Sequence, residues 1–156
     1  ASPGLRDALL LLGSQAALRE LAPDMDALSA FSKRLGVIGA HVAVIGDGAD
    51  GSVAAPFPVR NFAPACGTPE ESATGTSNCA LACALAASGR CASTGVLRFS
   101  QGDGMGQPSR IEVRLSGPGA PPWVGGRFRN VKDGCVGGSQ LALAREALAE
   151  KRAEGD

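Results

Sequence analysis

Residues 79–87 read C-A-L-A-C-A-L-A-A, without a charged side chain at any position. Alanine and leucine favour a helix, and Ser88-Gly89 supplies its stop. A helix that is apolar all round must be covered on every side. An antiparallel, barrel-like sheet gives that cover without leaving long strand edges. The segment therefore predicts an α+β domain in which strands wrap around one central buried helix.

The rest of the chain supplies elements for such a wrapping. Residues 5–12 form a short apolar run, a strand. Ser14 caps a brief helix to Leu21, and Pro23-Asp24 restarts a second one. In that helix Met25, Leu28, Phe31 and Leu35 fall at helical spacing, and Gly36 terminates it. Residues 37–45 are β-branched and apolar up to the Gly46-Asp47-Gly48 turn, a strand. Residues 53–62 contain Pro56 and Pro58, which restricts them to an edge or bent strand. Residues 95–100 and 110–115 are strands. In the second, Ile111, Val113 and Leu115 alternate with Glu112 and Arg114. Residues 123–129 form a further strand interrupted by Gly125-Gly126, and an alanine-rich terminal helix covers 139–152. The chain has the length of a single domain, 1–156.

Ahead of the uncharged helix runs E-E-S-A-T-G-T-S-N, residues 70–78. A turn of small hydroxyl residues at a helix start presents unpaired backbone N–H groups, which favour an anion. A carboxylate one turn earlier can exchange a proton with an acid bound there. Together these features describe half of a cofactor-independent active site for a small carboxylate-bearing substrate. Glu71 is the acid–base candidate. Gly75, Thr76 and Ser77 offer main-chain N–H groups, and the Thr76 hydroxyl adds a donor. Glu70 reads as a dipole partner or surface charge.

The same stretch carries a family pattern. Phe62-Ala63-Pro64, then Gly67-x-Pro69-Glu70-Glu71-x-Ala73-Thr74-Gly75-Thr76 and an alanine-rich helix, resembles the phenazine-biosynthesis (PhzF-like) isomerase family, which is related to diaminopimelate epimerase and proline racemase. Further matching blocks are Gly4-Leu5-Arg6-Asp7, Pro23-Asp24, Gln101-Gly102, residues 105–111 and Val124-Gly125-Gly126, so the resemblance spans residues 4 to 126. It implies a two-domain protein, each half a barrel-like sheet around a helix, with the active site in the cleft between them. This chain resembles the C-terminal half. The resemblance makes Glu71 the acid of this half, one methylene longer than the usual aspartate. It places the second acid–base glutamate in an N-terminal domain that this sequence lacks, to be supplied by that domain or by a partner chain. Gln107 stands where relatives often carry arginine.

Several readings compete at single residues. Ala65-Cys66-Gly67-Thr68 looks like the catalytic cysteine block of diaminopimelate epimerase, but the segment entering the helix is 73–76, where Thr74 takes the cysteine position. Two-cysteine chemistry is thereby disfavoured. His41 is the only histidine, so neither a Ser-His-Asp triad nor a histidine metal cluster can be built, and no metal is expected. It reads as a structural strand residue or as a group facing the cleft. Asp7 is a second cleft candidate, or the partner of Arg6 or Arg60. Cys79 and Cys83 read as two buried thiols.

The net charge is zero, with twelve arginines spread along the chain and no basic run, so the chain lacks the footprint of a nucleic-acid binder. Residues 9–12 are too short to span a membrane, and no signal-peptide pattern is present. Five cysteines without a C-x-x-C pair fit a reducing, cytoplasmic setting. The chain opens at Ala1 without methionine, the form of a processed chain or a fragment. The leading expectation is an isomerase or epimerase half-site that needs no cofactor. An uncovered docking face would favour a partner chain or a homodimer. The rival expectation is a non-catalytic binding module that keeps the fold.

Overall fold

The computed structural model describes residues 6–126. The helix expected over 139–152, Cys135 and the last part of the strand expected over 123–129 lie outside the described residues. Within them the order is β1 (Asp7–Leu12), α1 (Gln15–Glu20), α2 (Met25–Leu35), β2 (Gly39–Val44), β3 (Phe57–Ala63), a 3-10 turn (Pro64–Cys66), β4 (Thr68–Glu71), α3 (Gly75–Ala87), β5 (Thr94–Gln101), β6 (Ser109–Ser116) and β7 (Trp123–Gly126).

Local chemistry sets the helix ends. Ser14 Oγ accepts from the Ala17 N–H at 3.3 Å, and Asp24 Oδ1 accepts from Asp26 and Ala27, both at 3.0 Å. Gly36 closes α2 in the left-handed region, at φ 65. Leu28 and Met25 pack against Leu18, Val42, Val44 and Phe62. Phe31 and Leu35, from the same predicted stripe, remain exposed.

The strands form one seven-stranded sheet in the order β1-β2-β3-β5-β6-β7, with β4 added on β3. This corrects the expected antiparallel barrel in two ways. The sheet is mixed, because β1 pairs with β2 and β3 with β5 in parallel. It also does not close on itself among the described residues, since β1 and β7 stand at opposite ends of the order. The α+β class holds.

Of the two forms that its prolines allowed, an edge or a bent strand, β3 is not an edge, and its pairing with β4 shifts register between Asn61 and Ala63. Its first residues, Phe57 and Pro58, pair with Phe99 and Ser100 of β5, whereas the β2 ladder begins one residue later, at Val59. Pro58 therefore interrupts no pairing with β2, and a strand with a proline near its start can serve at the centre. Beyond it, β3 carries β2 on one side and β4 on the other.

Side-chain alternation on these strands makes two distinct faces. Val42, Val44 and Phe62 face α1 and α2. Ala43, Phe57 and Val59 face α3, where Cys79, Leu81, Ala82 and Leu85 pack among Phe99, Ile111, Val113 and Leu115. The alternation expected for β6 is seen: Ile111, Val113 and Leu115 are buried, Glu112 and Arg114 exposed.

Helix α3 is less enclosed than its composition suggested. Leu81 and Leu85 are almost fully buried, yet Cys83, Ala84 and Ala87 are exposed. Cys83 is thus not the buried thiol expected beside Cys79. The exposed side is built of small residues, which present little apolar area to water, so it needs no polar replacement.

Candidate functional site

Strand β4 decides which carboxylate can work. It was not anticipated, because Pro69 and two glutamates within four residues argue against a strand. Successive residues of a strand point to opposite faces, so Glu70 and Glu71 are sorted apart. Glu70 lies with Arg60, whose Nε and Nη2 donate to its two carboxylate oxygens, each at 2.8 Å. Arg60 also donates to the carbonyls of Leu18 at 3.0 Å and Leu21 at 2.6 Å. Its guanidinium stacks on the Phe62 ring, 4.7 Å from the centroid. The hydrogen bonds to Glu70 strengthen its hold on its proton. Glu70 is therefore a structural partner, not a free surface charge.

Glu71 faces the other way, toward the start of α3. It stands opposite Asn61 in the β3–β4 register. Its Oε2 accepts from the Thr74 hydroxyl at 2.5 Å and from Asn61 Nδ2 at 3.3 Å. Among the described residues no donor reaches Oε1. The carboxylate is anchored by one oxygen and keeps the other available.

The turn from Glu71 into α3 is held by Gln101 at the end of β5. Its Nε2 donates to the Glu71 carbonyl at 2.8 Å and to Thr74 Oγ1 at 2.9 Å. Its Oε1 accepts from the Thr74 N–H at 3.2 Å and from Asn78 Nδ2 at 3.0 Å. Ser109 Oγ donates to the Ser72 carbonyl at 2.7 Å. Gly102 is obligatory here: its φ is 78, and a Cβ would lie 2.3 Å from the Gln107 carbonyl oxygen and 2.8 Å from that of Ser72.

Thr74 is the N-cap residue of α3, but its side chain makes no capping bond, being committed to Glu71. The first bond of the helix runs from the Asn78 N–H to the Thr74 carbonyl, at 3.3 Å. The N–H groups of Gly75, Thr76 and Ser77 accordingly have no acceptor among the described residues. Thr76 is exposed and Gly75 half-buried. A Cβ at Gly75 would meet only Val124, at 3.5 Å, so nothing within the described chain demands a glycine there. Ser77 is buried, and its hydroxyl donates to Asp7 Oδ2, so only its main-chain N–H is left for a ligand. Asp7 is thus joined to the start of α3 and not to Arg6 or Arg60. Its Oδ1 is buried without a partner.

His41 lies under this turn, fully buried. Its Nδ1 is 3.0 Å from Asn61 Oδ1 and its Nε2 is 3.3 Å from Asn78 Oδ1. Burial pushes the imidazole below its ordinary 6.5, against opposing pulls from Asn61, Asn78, Asp7 and Glu71. Cys66 sits on the 3-10 turn before β4, exposed, and is hydrogen-bonded to none of the residues around Glu71. Burial raises the Cys79 thiol, with Cys83 adding to the effect, and keeps it inert.

The structure therefore brings Glu71, Gly75, Thr76, Ser77, Asp7 and His41 to one end of α3. The sequence reading missed Asn61, Asn78 and Gln101. Polar amides inside otherwise apolar segments were the available signal, since a buried amide must find partners. Among the described residues no group of three His, Cys, Asp or Glu side chains is placed to hold a metal ion. No described helix is long and apolar enough to cross a membrane.

Comparison with known proteins gives the family and the fold. The family described as phenazine biosynthesis-like protein matches residues 1–121. An uncharacterized isomerase of Deinococcus radiodurans is 34% identical over 119 residues, covering 74% of this chain and 36% of that protein. A PhzF-family structure from Bacillus anthracis aligns with TM-score 0.57 at 17% identity, covering 70% of this chain and 37% of that one. A predicted epimerase from Pseudomonas aeruginosa aligns with TM-score 0.51 at 23% identity, covering 85% and 44%. The chain spans well under half the length of each of these relatives, and the structural likenesses speak for the fold alone. With more than three-quarters of its residues inside the family match, the chain belongs to the phenazine biosynthesis-like protein family.

Proposed function

We infer that this chain supplies the substrate-carboxylate cradle and one acid–base group of a cofactor-independent isomerase or epimerase. The observation that carries the reading is the state of Glu71. Its Oε2 is held by Thr74 and Asn61 while, among the described residues, its Oε1 has no partner, one turn ahead of the N–H groups of Gly75, Thr76 and Ser77, which are likewise unpaired there. A carboxylate bound to those groups, with the Thr76 hydroxyl as an added donor, brings its neighbouring carbon–hydrogen bond toward Oε1. Glu71 then takes or returns that proton. The name of the Deinococcus relative, an uncharacterized isomerase, supports the same class of reaction.

Moving a proton between two positions, or two faces, of a substrate needs a second acid–base group or a return by the first. The second group is assigned to a further domain or a partner chain, the remainder of the site, in keeping with the roughly two-fifths of its relatives' length that this chain spans. The exposed small residues of α3, Cys83, Ala84 and Ala87, continue from Thr76 along one side of the helix. They form the surface on which that remainder, or a second copy of the chain, closes the cleft. The cytoplasm, where thiols stay reduced, is the setting that suits Cys66 and Cys83, both exposed and unbridged.

Titration of the chain with a small carboxylate, followed by amide NMR, tests the cradle directly. We expect saturable shifts at Gly75, Thr76 and Ser77 at millimolar ligand. Flat resonances there would overturn the reading.

A further inference from the structure

The buried polar groups beneath Glu71 close into a ring. From Glu71 Oε2 the hydrogen bonds run to Thr74 Oγ1 at 2.5 Å, to Gln101 Nε2 at 2.9 Å, and from Gln101 Oε1 to Asn78 Nδ2 at 3.0 Å. They continue from Asn78 Oδ1 to His41 Nε2 at 3.3 Å, and from His41 Nδ1 to Asn61 Oδ1 at 3.0 Å. Asn61 Nδ2 then returns to Glu71 Oε2 at 3.3 Å.

Each amide in this ring is oriented by an atom that can only accept. Gln101 Nε2 faces the Glu71 carbonyl at 2.8 Å. Asn78 Nδ2 faces the Thr74 carbonyl at 2.8 Å. Asn61 Nδ2 faces the Glu71 carboxylate. No amide can be turned over without setting oxygen against oxygen. It follows that both nitrogens of His41 face oxygen atoms. A neutral imidazole has one N–H, so it can satisfy only one of them.

We propose that His41 is a positioning residue for Glu71: its Nδ1–H holds the Asn61 amide, which in turn fixes Glu71 Oε2 and leaves Oε1 as the oxygen that meets substrate. This rests on the functional reading above for its purpose, though the geometry stands without it. The Asn61 contact is the shorter of the two, which selects Nδ1 as the nitrogen that keeps its proton when the ring is neutral. Without that donor, Asn61 Oδ1 would be a buried acceptor with no partner, and since turning the amide over would set that oxygen against the Glu71 carboxylate, Asn61 would lose its fixed position instead. Glu71 would then be held by Thr74 alone and free to swing about its longer side chain. His41 takes its second proton only on the acid side, because burial outweighs the carboxylates of Asp7, from β1, and Glu71, from β4. α3 and β5 bring only uncharged groups to the ring, Asn78 and Gln101.

The sole histidine of the chain makes the test direct. In the 15N-labelled full chain at pH 7.5, the His41 ring should show a proton on Nδ1 and none on Nε2. On acidification, uptake of the second proton should shift the Asn61 side-chain amide. A bare Nδ1 with a protonated Nε2, or an Asn61 amide indifferent to His41 ionisation, would overturn the proposal. In an assembly that exchanges substrate protons, His41→Leu should slow exchange roughly 10–10²-fold, the scale of a displaced catalytic group, with KM little changed. His41→Gln, whose amide N–H can still reach Asn61, should recover part of that rate. A folded His41→Leu protein with wild-type kcat would refute the idea. If no assembly exchanges protons, the functional reading fails while the ring NMR still decides the positioning claim.

Discussion

The two sides of the β3–β4 pair carry the same kinds of atoms and use them in opposite ways. On the side of α1 and α2, Arg60 grips both oxygens of Glu70 and ties two helix carbonyls to the strand. On the side of α3, one residue further along each strand, Asn61 touches a single oxygen of Glu71, and the other has no partner among the described residues. A fully paired carboxylate has no capacity left for a ligand. One held by a single amide and a hydroxyl, both on the same oxygen, keeps the acceptor sites of the other oxygen. The step of one residue along a strand thus separates an acid paired on both oxygens from one held by a single oxygen.

The sharpest way to break this contrast is to remove each carboxylate in turn. In an assembly that turns over, Glu71→Gln should lower the proton-exchange rate by about 10²–10⁴, the usual worth of a positioned acid or base. Its melting temperature should hardly move. Glu70→Gln should do the reverse. Deuterium uptake into substrate, read beside thermal melts of both variants, checks the pair of outcomes, and equal effects from the two would erase the distinction.

Arg60→Ala attacks the structural side from its other partner. It strands Glu70, only 17% exposed, together with the carbonyls of Leu18 and Leu21. Loss of charge-assisted hydrogen bonds at such a site costs about 2–3 kcal/mol. Urea unfolding should show that loss, with carboxylate binding at the α3 turn unchanged. A change under about 0.5 kcal/mol would place Arg60 among the surface pairs that add little.

How much of this was legible depended on distance along the chain. The caps Ser14 and Asp24, the Gly36 stop and the alternation of β6 are local, and the residues announce them. Glu71 and the turn into α3 were legible as a short contiguous motif. β4 was not, because its pairing with β3 overrides the poor strand propensity of T-P-E-E. The parallel pairing of β1 with β2 and of β3 with β5 was missed for a related reason: nothing in a strand's own residues names its neighbour. The exposure of Cys83 escaped because hydropathy tells a helix's appetite for cover, not the cover available. The ring around His41 was furthest from reach. Its amides come from β3, α3 and β5, separated from their partners by 20, 37 and 23 residues. A lone histidine in an apolar strand gave two readings, and only the folded register shows which atoms it meets.

The smallest effect we expect is a dependence of stability on pH that belongs to the α3 side alone. His41 has its folded pKa lowered from the ordinary 6.5, chiefly by burial. Above 6.5 the ring is neutral in both folded and unfolded chains, and its contribution is fully present. As the pH falls below 6.5 the unfolded chain takes up a proton that the folded one resists, so stability declines until the lowered folded value is reached, and then levels off. On the other face, the Arg60 charge does not change over this window, since the guanidinium pKa is raised still further above neutrality. Urea midpoints measured between pH 8 and pH 5 should therefore fall for the wild type. They should fall less for His41→Gln, which removes the only imidazole, while Arg60→Ala keeps the wild-type slope from a lower start. A His41→Gln curve parallel to the wild type would show that the pH response lies elsewhere, and the contrast between the two faces would then rest on the carboxylates alone.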